Sequence, residues 1–407
     1  MTSQSGQPLD TAFGEYDGNL GSHIDRQITM KTLIVGGGPV GLAAALALKE
    51  RGITSDITVL EVAPRATESF SDRNIALSAA SWRFLSRLGV SVDAQKRAPI
   101  RQVEITQRGA FGLLTLDAKD VDASELGAAT PYPALKSALD HAVSAASIHV
   151  LYGAKAESVQ HEAQRAVVHL ASGEKLAADC VILADGAASD LNPEFKRFER
   201  DSGQMAIITR VSASKPRAGV AFERFTAGGA LALIPRADGE WTVVWARARA
   251  EAERMLELDA STLSDEVNAA FGSSLGILTL TAKLTSYPLV WRFVEPRAGG
   301  AIVALGNAAQ GLHPVAAQGL NLGLRDAQDL AEAFVRQKPS ETIASTLSKF
   351  ARSRGIDRVA RIGFTGLLAY GFDRGGWLAD VPRGFGLTAV QMLPPLKREI
   401  TRRLALN

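Results

Sequence analysis

Three glycines near the start of the chain have the spacing of a phosphate-binding turn. Gly36, Gly38 and Gly41 form the pattern G-x-G-x-x-G. The first glycine permits a tight turn, the second lets a pyrophosphate approach the backbone, and the third lets a helix pack close to a strand. Glu61 follows Gly41 by 20 residues, where a carboxylate can accept hydrogen bonds from ribose hydroxyls and disfavours a 2′-phosphate. Together these residues predict a dinucleotide-binding site.

The sequence around these glycines predicts a strand, a turn, a helix and a second strand. A short β-branched run, Lys31–Val35, precedes the glycines, and the helix-forming run Leu42–Lys49 follows them. Gly52 stands where such a helix would end, and Ile57–Leu60 is again strand-like. In this order the glycine pattern indicates a nucleotide site rather than a structural turn. We expect N–H groups at the start of the helix to face the phosphates.

A second glycine-containing segment, some 270 residues further along, favours FAD over NAD as the dinucleotide. The apolar run Ala301–Leu305 ends at Gly306, and a further glycine-containing turn then opens a helix. Reduced flavin carries negative charge on its pyrimidine ring, so the start of a helix beside that ring would stabilise it. We therefore expect this segment to close against the first turn. Its predicted cofactor-binding residues are Gly306, Asn307, Gln318, Gly319, Leu320 and Asn321.

The two segments together resemble those of the class A flavoprotein monooxygenases, which have the p-hydroxybenzoate hydroxylase fold. The resemblance runs from about residue 31 to the C-terminus and is greatest for the ubiquinone-biosynthesis branch. Most of the superfamily has G-D-A-A-H in the second segment, whereas here Asn307 replaces the aspartate and Gln310 the histidine. The form G-N-A-A-Q followed by L-H-P is most similar to the 2-polyprenyl-6-methoxyphenol hydroxylases. Ala317 stands where the family usually has glycine.

The resemblance also implies roles for residues outside the glycine turns. Arg73, in the segment D-R-N-I-A-L-S, is expected beside the isoalloxazine ring as a cofactor-binding and catalytic residue. Asp185 and Gly186 are similar to a D-G motif that contacts both FAD and NAD(P)H. The arginine that usually follows this motif is missing, and Leu191 and Asn192 stand nearby instead.

His313 and Pro314, in the L-H-P segment, are further candidate catalytic residues. For His313 a structural role beside the proline remains an equal alternative. The segments Ala221–Thr226, Ala230–Pro235 and Val243–Trp245 resemble the substrate-domain pattern of the same branch.

Individual residues of the predicted substrate sheet can also be interpreted. Glu223 and Arg224 would point to opposite faces of a strand, and an ion pair with a neighbouring strand is the expected arrangement. Phe225 and Trp245 are expected in the core. Asp326, on the helix after the second glycine segment, is explained by packing at the start of that helix.

The patterns predict an α/β fold: a Rossmann-like FAD-binding domain assembled from separated segments, a mixed or antiparallel β-sheet substrate domain and a C-terminal helical region. The expected ranges are a disordered extension at 1–29, the FAD-binding domain at 30–100, 135–200 and 295–340, the substrate-binding sheet at 101–134 and 201–294, and the helical region at 341–407.

The composition is that of an ordinary soluble protein. The 407 residues are 46% hydrophobic and 22% charged, and the net charge of +2 does not suggest a nucleic-acid partner. The one cysteine, Cys180, excludes an intramolecular disulfide and is compatible with a reducing compartment. No apolar run is long enough for a transmembrane helix, and we find no Ser-His-Asp or metal-ligand pattern. We expect a cytoplasmic protein.

The resemblance implies a monooxygenase that uses FAD, NAD(P)H and O₂ to hydroxylate a polyprenylated phenol in ubiquinone biosynthesis. The alternatives are a hydroxylase of another aromatic compound, a prenyl reductase, or a catalytically weak flavoprotein that assembles a ubiquinone-biosynthesis complex. The ring carbon, the choice of NADH or NADPH and the oligomeric state stay open. The basic and apolar segment Pro394–Leu406 is expected to be a solvated helix, with peripheral contact to the inner face of the membrane or to a partner as the alternative.

Overall fold

A computed structural model describes residues 30–54, 56–65, 73–109, 111–162, 165–186, 190–226, 228–311, 318–355 and 377–406. Its helices are α1 (Pro39–Glu50), α2 (Ala79–Arg87), α3 (Tyr132–Ala145), α4 (Arg249–Leu256), α5 (Ala260–Phe271), α6 (Gln318–Val335), α7 (described over 343–355), α8 (Trp377–Met392) and α9 (Pro394–Ala405). Short 3₁₀ helices span Ala94–Lys96, Ala118–Val121 and Gly306–Ala308.

The strands form four sheets. In chain order they are β1 (Thr32–Val35), β2 (Ile57–Glu61), β3 (Asn74–Ser78), β4 (Ala98–Ile100), β5 (Gln102–Gln107), β6 (Leu113–Asp117), β7 (Gly127–Pro131), β8 (His149–Tyr152), β9 (Ala156–Glu162), β10 (Arg165–Leu170), β11 (Lys175–Ala178), β12 (Cys180–Leu183), β13 (Lys196–Ala213), β14 (Val220–Thr226), β15 (Gly229–Pro235), β16 (Trp241–Ala248), β17 (Leu278–Leu280), β18 (Thr285–Glu295), β19 (Ala298–Gly299), β20 (Ile302–Ala304) and β21 (Gln310–Gly311).

The first sheet has six strands in the order β19-β20-β12-β1-β2-β8, and all of its pairs are parallel except β19 with β20. Its central strands are apolar on both faces, as a parallel sheet covered on both sides requires. Ile34 and Ile182 pack against helices α1, α3 and α6, while Leu33 and Val181 pack against the small antiparallel sheet β9-β10-β11. Cys180 is fully buried beside β1. The parallel strand order with helices packed on the sheet confirms the predicted Rossmann-like α/β unit.

The second sheet has nine strands in the order β21-β18-β13-β16-β15-β14-β5-β6, with β17 added alongside β13. Its pairs are antiparallel except β14 with β5. One face is covered by α4 and α5, where the rings of Phe222 and Phe271 meet edge to face, 5.3 Å between centroids. Trp245 packs in this same core and Phe225 is 4% exposed, so both are buried as expected.

A third, three-stranded sheet, β3-β7-β4, connects the first two. Its side chains Ala98 and Ile100 pack against Ala221 and Ile234 on the face of the second sheet that α4 and α5 leave free. The side-chain amide of Asn74, on β3, donates to the carbonyl oxygen of Pro235 at 3.1 Å. The third sheet is therefore held directly against this face of the second sheet.

A buried ion network joins β20, α6 and α7. Asp326 is 0% exposed, and its carboxylate accepts from Arg297 at 2.7 Å, from Arg354 at 2.8 Å and from the backbone N–H of Gly306 at 3.2 Å. Arg354 also pairs with Asp329 at 2.9 Å. Simple packing at the start of α6 was therefore the wrong explanation for Asp326. Its carboxylate instead ties the turn after β20 to two helices.

Replacing Asp326 with asparagine is expected to destabilise the protein by about 3 to 5 kcal/mol, because two arginines would remain buried without this counter-charge. The matched control is Glu332→Gln on the same helix. Its partner Arg336 is largely exposed, and such a pair contributes less than about 1 kcal/mol. Urea unfolding of both variants measures the difference. An Asp326→Asn variant no less stable than Glu332→Gln would contradict the role given to the network.

Candidate active site

The turn between β1 and α1 has no room for side chains at its first and third glycines. Gly36 has φ +110°, and its N–H donates to the carbonyl oxygen of Leu60 at 2.8 Å. A Cβ at Gly36 would collide with the backbone of Ala184 at the end of β12, and one at Gly41 would collide with the carbonyl oxygen of Gly36. Gly38 differs, because nothing lies within 4 Å of a Cβ built there. The turn is closed on the protein side and open at Gly38.

Gly38 is also the N-cap residue of α1, and no side chain caps this end of the helix. The first N–H groups of a helix have no partner within it, and they carry partial positive charge. An open glycine next to uncapped N–H groups fits a pyrophosphate, which needs close approach to the backbone.

Glu61 ends β2 directly beside this turn. One of its carboxylate oxygens lies 2.5 Å from the position that a Cβ of Gly37 would take. The other oxygen accepts from the N–H of Ala63 at 2.8 Å, and the Glu61 carbonyl accepts from the N–H of Ala154 at 3.0 Å. The carboxylate is therefore held at the edge of the turn, where it fits a ribose.

The second glycine segment lies against the first. Gly306 has φ +56°, and a Cβ there would meet the Val40 side chain at 3.1 Å. A Cβ at Gly323, one turn into α6, would lie 2.5 Å from Val40 and 3.2 Å from the Cα of Gly306. Val40 belongs to the first turn of α1, so the starts of α1 and α6 are brought together through these two glycines.

Gly323 was missed in the sequence interpretation, although a signal for it was available. A glycine inside a helix costs about 1 kcal/mol relative to alanine, so its presence in α6 indicates that something approaches the helix closely. That neighbour is the Val40 side chain.

The start of α6 contains Gly319, Leu320 and Asn321, of which the first lies near Asn307 on the turn after β20. The Asn307 side-chain oxygen is 3.8 Å from a Cβ built at Gly319, and Asn307 is exposed. Gln318 is the first residue of α6. The backbone of these residues can therefore face the same ligand as the Asn307 side chain.

The side chain of Asn321 has a structural function. Its oxygen accepts from the N–H of Ser78 at 2.9 Å and from the Ser81 hydroxyl at 2.8 Å, and its amide donates to the carbonyl oxygen of Ala76 at 3.2 Å. These bonds hold the end of β3 and the start of α2 against α6. The cofactor-binding role predicted for Asn321 stays a prediction.

Arg73 directly precedes β3 and is exposed. Its carbonyl oxygen accepts from the N–H of Tyr132 at 2.8 Å, and its guanidinium carbon lies 4.7 Å from the centroid of the Tyr132 ring. Burial raises the pKa of Tyr132, and the positive charge of Arg73 opposes that shift. Arg73 is thus at the surface of the strand that Asn321 anchors to α6.

Asp185 and Gly186 follow β12 and lie next to the first glycine turn. A Cβ at Gly36 would be 2.7 Å from the Cα of Asp185, and Gly186 has φ +95°. Downstream, the Leu191 carbonyl accepts from Val159 at 2.7 Å and the Asn192 side chain accepts from the N–H of Glu194 at 2.8 Å. The residues that stand near the position of the usual arginine therefore stabilise the local chain.

His313, Pro314 and Ala317 lie outside the described residues, as does the side chain of Gln318. Their predicted roles stay predictions.

The open face of the second sheet carries small apolar residues near Glu223 on β14. Strand pairing places Ala232 beside Glu223 and Val244 one strand beyond it, and Ala230 and the buried ring of Phe225 lie on the same face. An ion pair with a neighbouring strand was expected for Glu223 or Arg224. None is seen for Glu223 among the described residues, and its Oε1 atom is buried without a hydrogen-bond partner. This face can receive an apolar ring, with one carboxyl group at its centre.

Gly38→Ala should bind FAD at least about tenfold more weakly than the wild type, since the added methyl would occupy the open position over the turn. The fold should be retained, because φ at Gly38 is −73° and no atom blocks a Cβ. Gly41→Ala should lose both FAD binding and stability. Flavin fluorescence titration of the apoprotein, together with circular dichroism, measures both properties. Wild-type affinity in Gly38→Ala would contradict a pyrophosphate site here.

Comparison with known proteins agrees with this geometry. Residues 29–352 match the model of a family described as FAD binding domain. The chain is 29% identical to the 3-demethoxyubiquinol 3-hydroxylase of Escherichia coli, covering 90% of this chain and 96% of that protein. It is 27% identical to the ubiquinone hydroxylase UbiL of Rhodospirillum rubrum, over 91% of this chain and 88% of that protein.

Solved structures have the same fold at lower identity. The p-nitrophenol 4-monooxygenase PnpA of Pseudomonas putida superposes with a TM-score of 0.71 at 18% identity, covering 92% of this chain and 97% of that one. PqsL of Pseudomonas aeruginosa, a probable FAD-dependent monooxygenase, has a TM-score of 0.71 at 20% identity, over 89% of this chain and all (100%) of that one. The chain belongs to the FAD binding domain family, among the FAD-dependent aromatic monooxygenases.

Proposed function

We propose that this protein hydroxylates the aromatic ring of a polyprenylated phenol in ubiquinone biosynthesis, with NAD(P)H as reductant and O₂ as the oxygen donor. The observation that carries the proposal is the meeting of two glycine turns, at Val40, Gly306 and Gly323, beside a sheet face of small apolar side chains. The ubiquinone pathway is suggested by relatives that are named as ubiquinone hydroxylases.

The residues present fit FAD. The turn at Gly38 and the start of α1 would hold the pyrophosphate, Glu61 a ribose, and Asn307 the ribityl chain, while the start of α6 would face the pyrimidine ring. Asp185 and Gly186 would line the site beside the first turn, and Arg73 would lie at the ring. When bound, FAD supplies the redox chemistry, accepting electrons from NAD(P)H and activating O₂.

The protein's own contribution is orientation of the phenol and exclusion of water. Apolar residues on the open face of the second sheet, such as Ala232 and Val244, would contact the ring and displace water from it. The third sheet would close one edge of the site, because Ala98 and Ile100 pack on the same face of the second sheet. The hydrogen bond from Asn74 to Pro235 fixes these two sheets to one another.

A flavin-bound assembly component is the alternative that one observation favours. Leu191 and Asn192, near the position of the usual arginine, are used in local structure, and an arginine there would help hold NAD(P)H. A protein that binds FAD but cannot be reduced would fit that arrangement.

The purified protein should be yellow, and NADH or NADPH should bleach it anaerobically, faster when a prenylated phenol is present. With isotopically labelled O₂, one labelled oxygen atom should enter the product ring, as mass spectrometry detects. Flavin that stays oxidised with both reductants, with and without the phenol, would contradict the monooxygenase and support the assembly component.

We further propose that the protein contacts the lipid surface through a patch around the α8–α9 turn. The patch consists of apolar side chains that are 44% to 75% exposed: Phe111, Leu113, Phe385, Met392, Leu393 and Leu396. The rings of Phe111 and Phe385 are 5.0 Å apart, so the β5–β6 turn is continuous with α8. Contiguous exposed apolar surface of this kind marks an interaction site.

The rest of α9 does not belong to this patch. Ile400 and Leu404 pack against the buried side chain of Leu116 on β6, so this face of α9 is already covered. Arg398 is exposed beside the patch and carries the positive charge that favours anionic lipids. No helix in the described part of the chain is long and apolar enough to cross a membrane.

The wild type should sediment with vesicles that contain anionic phospholipid. The double variant Phe385→Ser, Met392→Ser should stay in the supernatant. The matched control is Ile277→Ser, which removes an exposed apolar side chain from the segment between α5 and β17. This variant should still bind the vesicles. Equal binding of all three proteins would contradict the patch as the lipid contact.

A further inference from the structure

Glu223 has an unusual position for a carboxyl group. It lies on β14, two strands in from the β6 edge of the second sheet. Its neighbours in sequence turn towards the helices: the Phe222 ring packs on Phe271, and the Arg224 guanidinium lies 3.7 Å from a Cβ built at Gly272. Because side chains alternate along a strand, Glu223 points to the open face instead.

The surroundings of Glu223 on that face are apolar. Strand pairing places Ile105 and Ala232 on either side of it, with Val244 one strand beyond Ala232. Its Oε1 atom is buried and has no hydrogen-bond partner among the described residues, yet the residue as a whole keeps some accessible surface. Buried polar groups are nearly always hydrogen-bonded. A carboxyl group that is not, set among apolar side chains, indicates that a ligand supplies the partner.

A neighbouring carboxylate in the same sheet has a structural partner and serves as a comparison. Glu104, on the adjacent strand β5, points to the helix-covered face and forms two hydrogen bonds with Arg217. Glu223 receives no such partner from the described residues, so a purely structural role does not account for it.

Two described arginines on neighbouring elements have other surroundings. The charge of Arg108, directly after β5, lowers the pKa of Arg224 in addition to burial, and Arg73, before β3, lies over the ring of Tyr132. Burial alone raises the pKa of Glu223 to about 7. General bases work best when their pKa lies near the operating pH.

We propose that the carboxylate of Glu223 is the general base that accepts the proton of the substrate's phenolic hydroxyl. The phenolic O–H bond breaks, a new O–H bond forms on the carboxylate, and the electron pair stays on the phenolate oxygen. No electron is exchanged in this step, and the proton later returns to the product or to solvent. The ionised ring is the stronger nucleophile towards oxygen. This inference rests on the proposed function.

The need for a base follows from the acidity of phenols. A phenol with a pKa near 10 is ionised to about one part in a thousand at neutral pH. A compound whose phenol already ionises near pH 7, such as p-nitrophenol, has little need of a base. The two classes of substrate therefore separate the role of Glu223 from general effects on the site.

Glu223→Gln keeps the shape of the side chain and removes its basicity. With 2-prenylphenol, kcat/KM should fall by about a hundredfold or more, and the rise of kcat/KM through pH 7 should disappear. With p-nitrophenol the loss should stay below about tenfold, and Glu223→Asp should restore part of the activity on 2-prenylphenol. The control Glu104→Gln should keep the wild-type pH profile with both phenols.

Two readouts do not depend on turnover. The first is retention of the flavin, which Glu223→Gln should bind like the wild type. The second is the melting temperature. The folded protein holds the Glu223 proton up to about pH 7 and the unfolded chain releases it near 4.5. The wild type therefore becomes less stable as pH rises between these values. The melting temperature of Glu223→Gln should accordingly rise relative to that of the wild type over this pH range.

The results distinguish failure of Glu223 as the base from failure of the proposed function. A wild type that is reduced by NAD(P)H and hydroxylates phenols, with a Glu223→Gln variant that has the same pH profile and equal losses on both phenols, would overturn the base and leave the proposed function standing. A wild type that hydroxylates neither phenol would overturn both.

Discussion

The close approach of α1 and α6 is the constraint on which the rest of the structure depends. Val40 fits between Gly306 and Gly323: a methyl group at Gly323 would collide with its side chain, and one at Gly306 would crowd it. The buried carboxylate of Asp326 fixes the same turn from the other side through the N–H of Gly306. Asn321 then joins α6 to β3. Two helix starts, separated by most of the chain, are therefore held against one another and can act on one cofactor.

The open face of the second sheet has the opposite character. The first sheet is closely packed on both faces, whereas this face carries the carboxyl group of Glu223, whose Oε1 atom has no hydrogen-bond partner among the described residues. Desolvation favours the protonated form of such a group. A substrate whose hydroxyl can hydrogen-bond to Glu223 would remove that cost, so substrate binding and the ionisation of this carboxyl are coupled in the proposed function.

The fold and the position of the first turn could be predicted from local sequence, because strand, glycine and helix patterns act over a few residues. The need for glycine at Gly41 is local, because a Cβ there would meet the carbonyl oxygen of Gly36. The ion network of Asp326 could not be predicted, since its partners Arg297 and Arg354 are distant in sequence and come together only through packing. The same holds for Glu223: alternation predicted that Glu223 and Arg224 point to opposite faces, but only the assembled sheet shows that Glu223 Oε1 lacks a hydrogen-bond partner among the described residues. The predicted domain boundaries stay a proposal.

A crystal structure of the protein with FAD bound would show whether both helix starts hold one cofactor. We expect the pyrophosphate at Gly38 and the start of α1, and the pyrimidine ring at the backbone of Gly319 to Asn321, with Val40 between the two sites. A flavin whose pyrophosphate lies on the first turn but whose ring system lies away from α6 would contradict it.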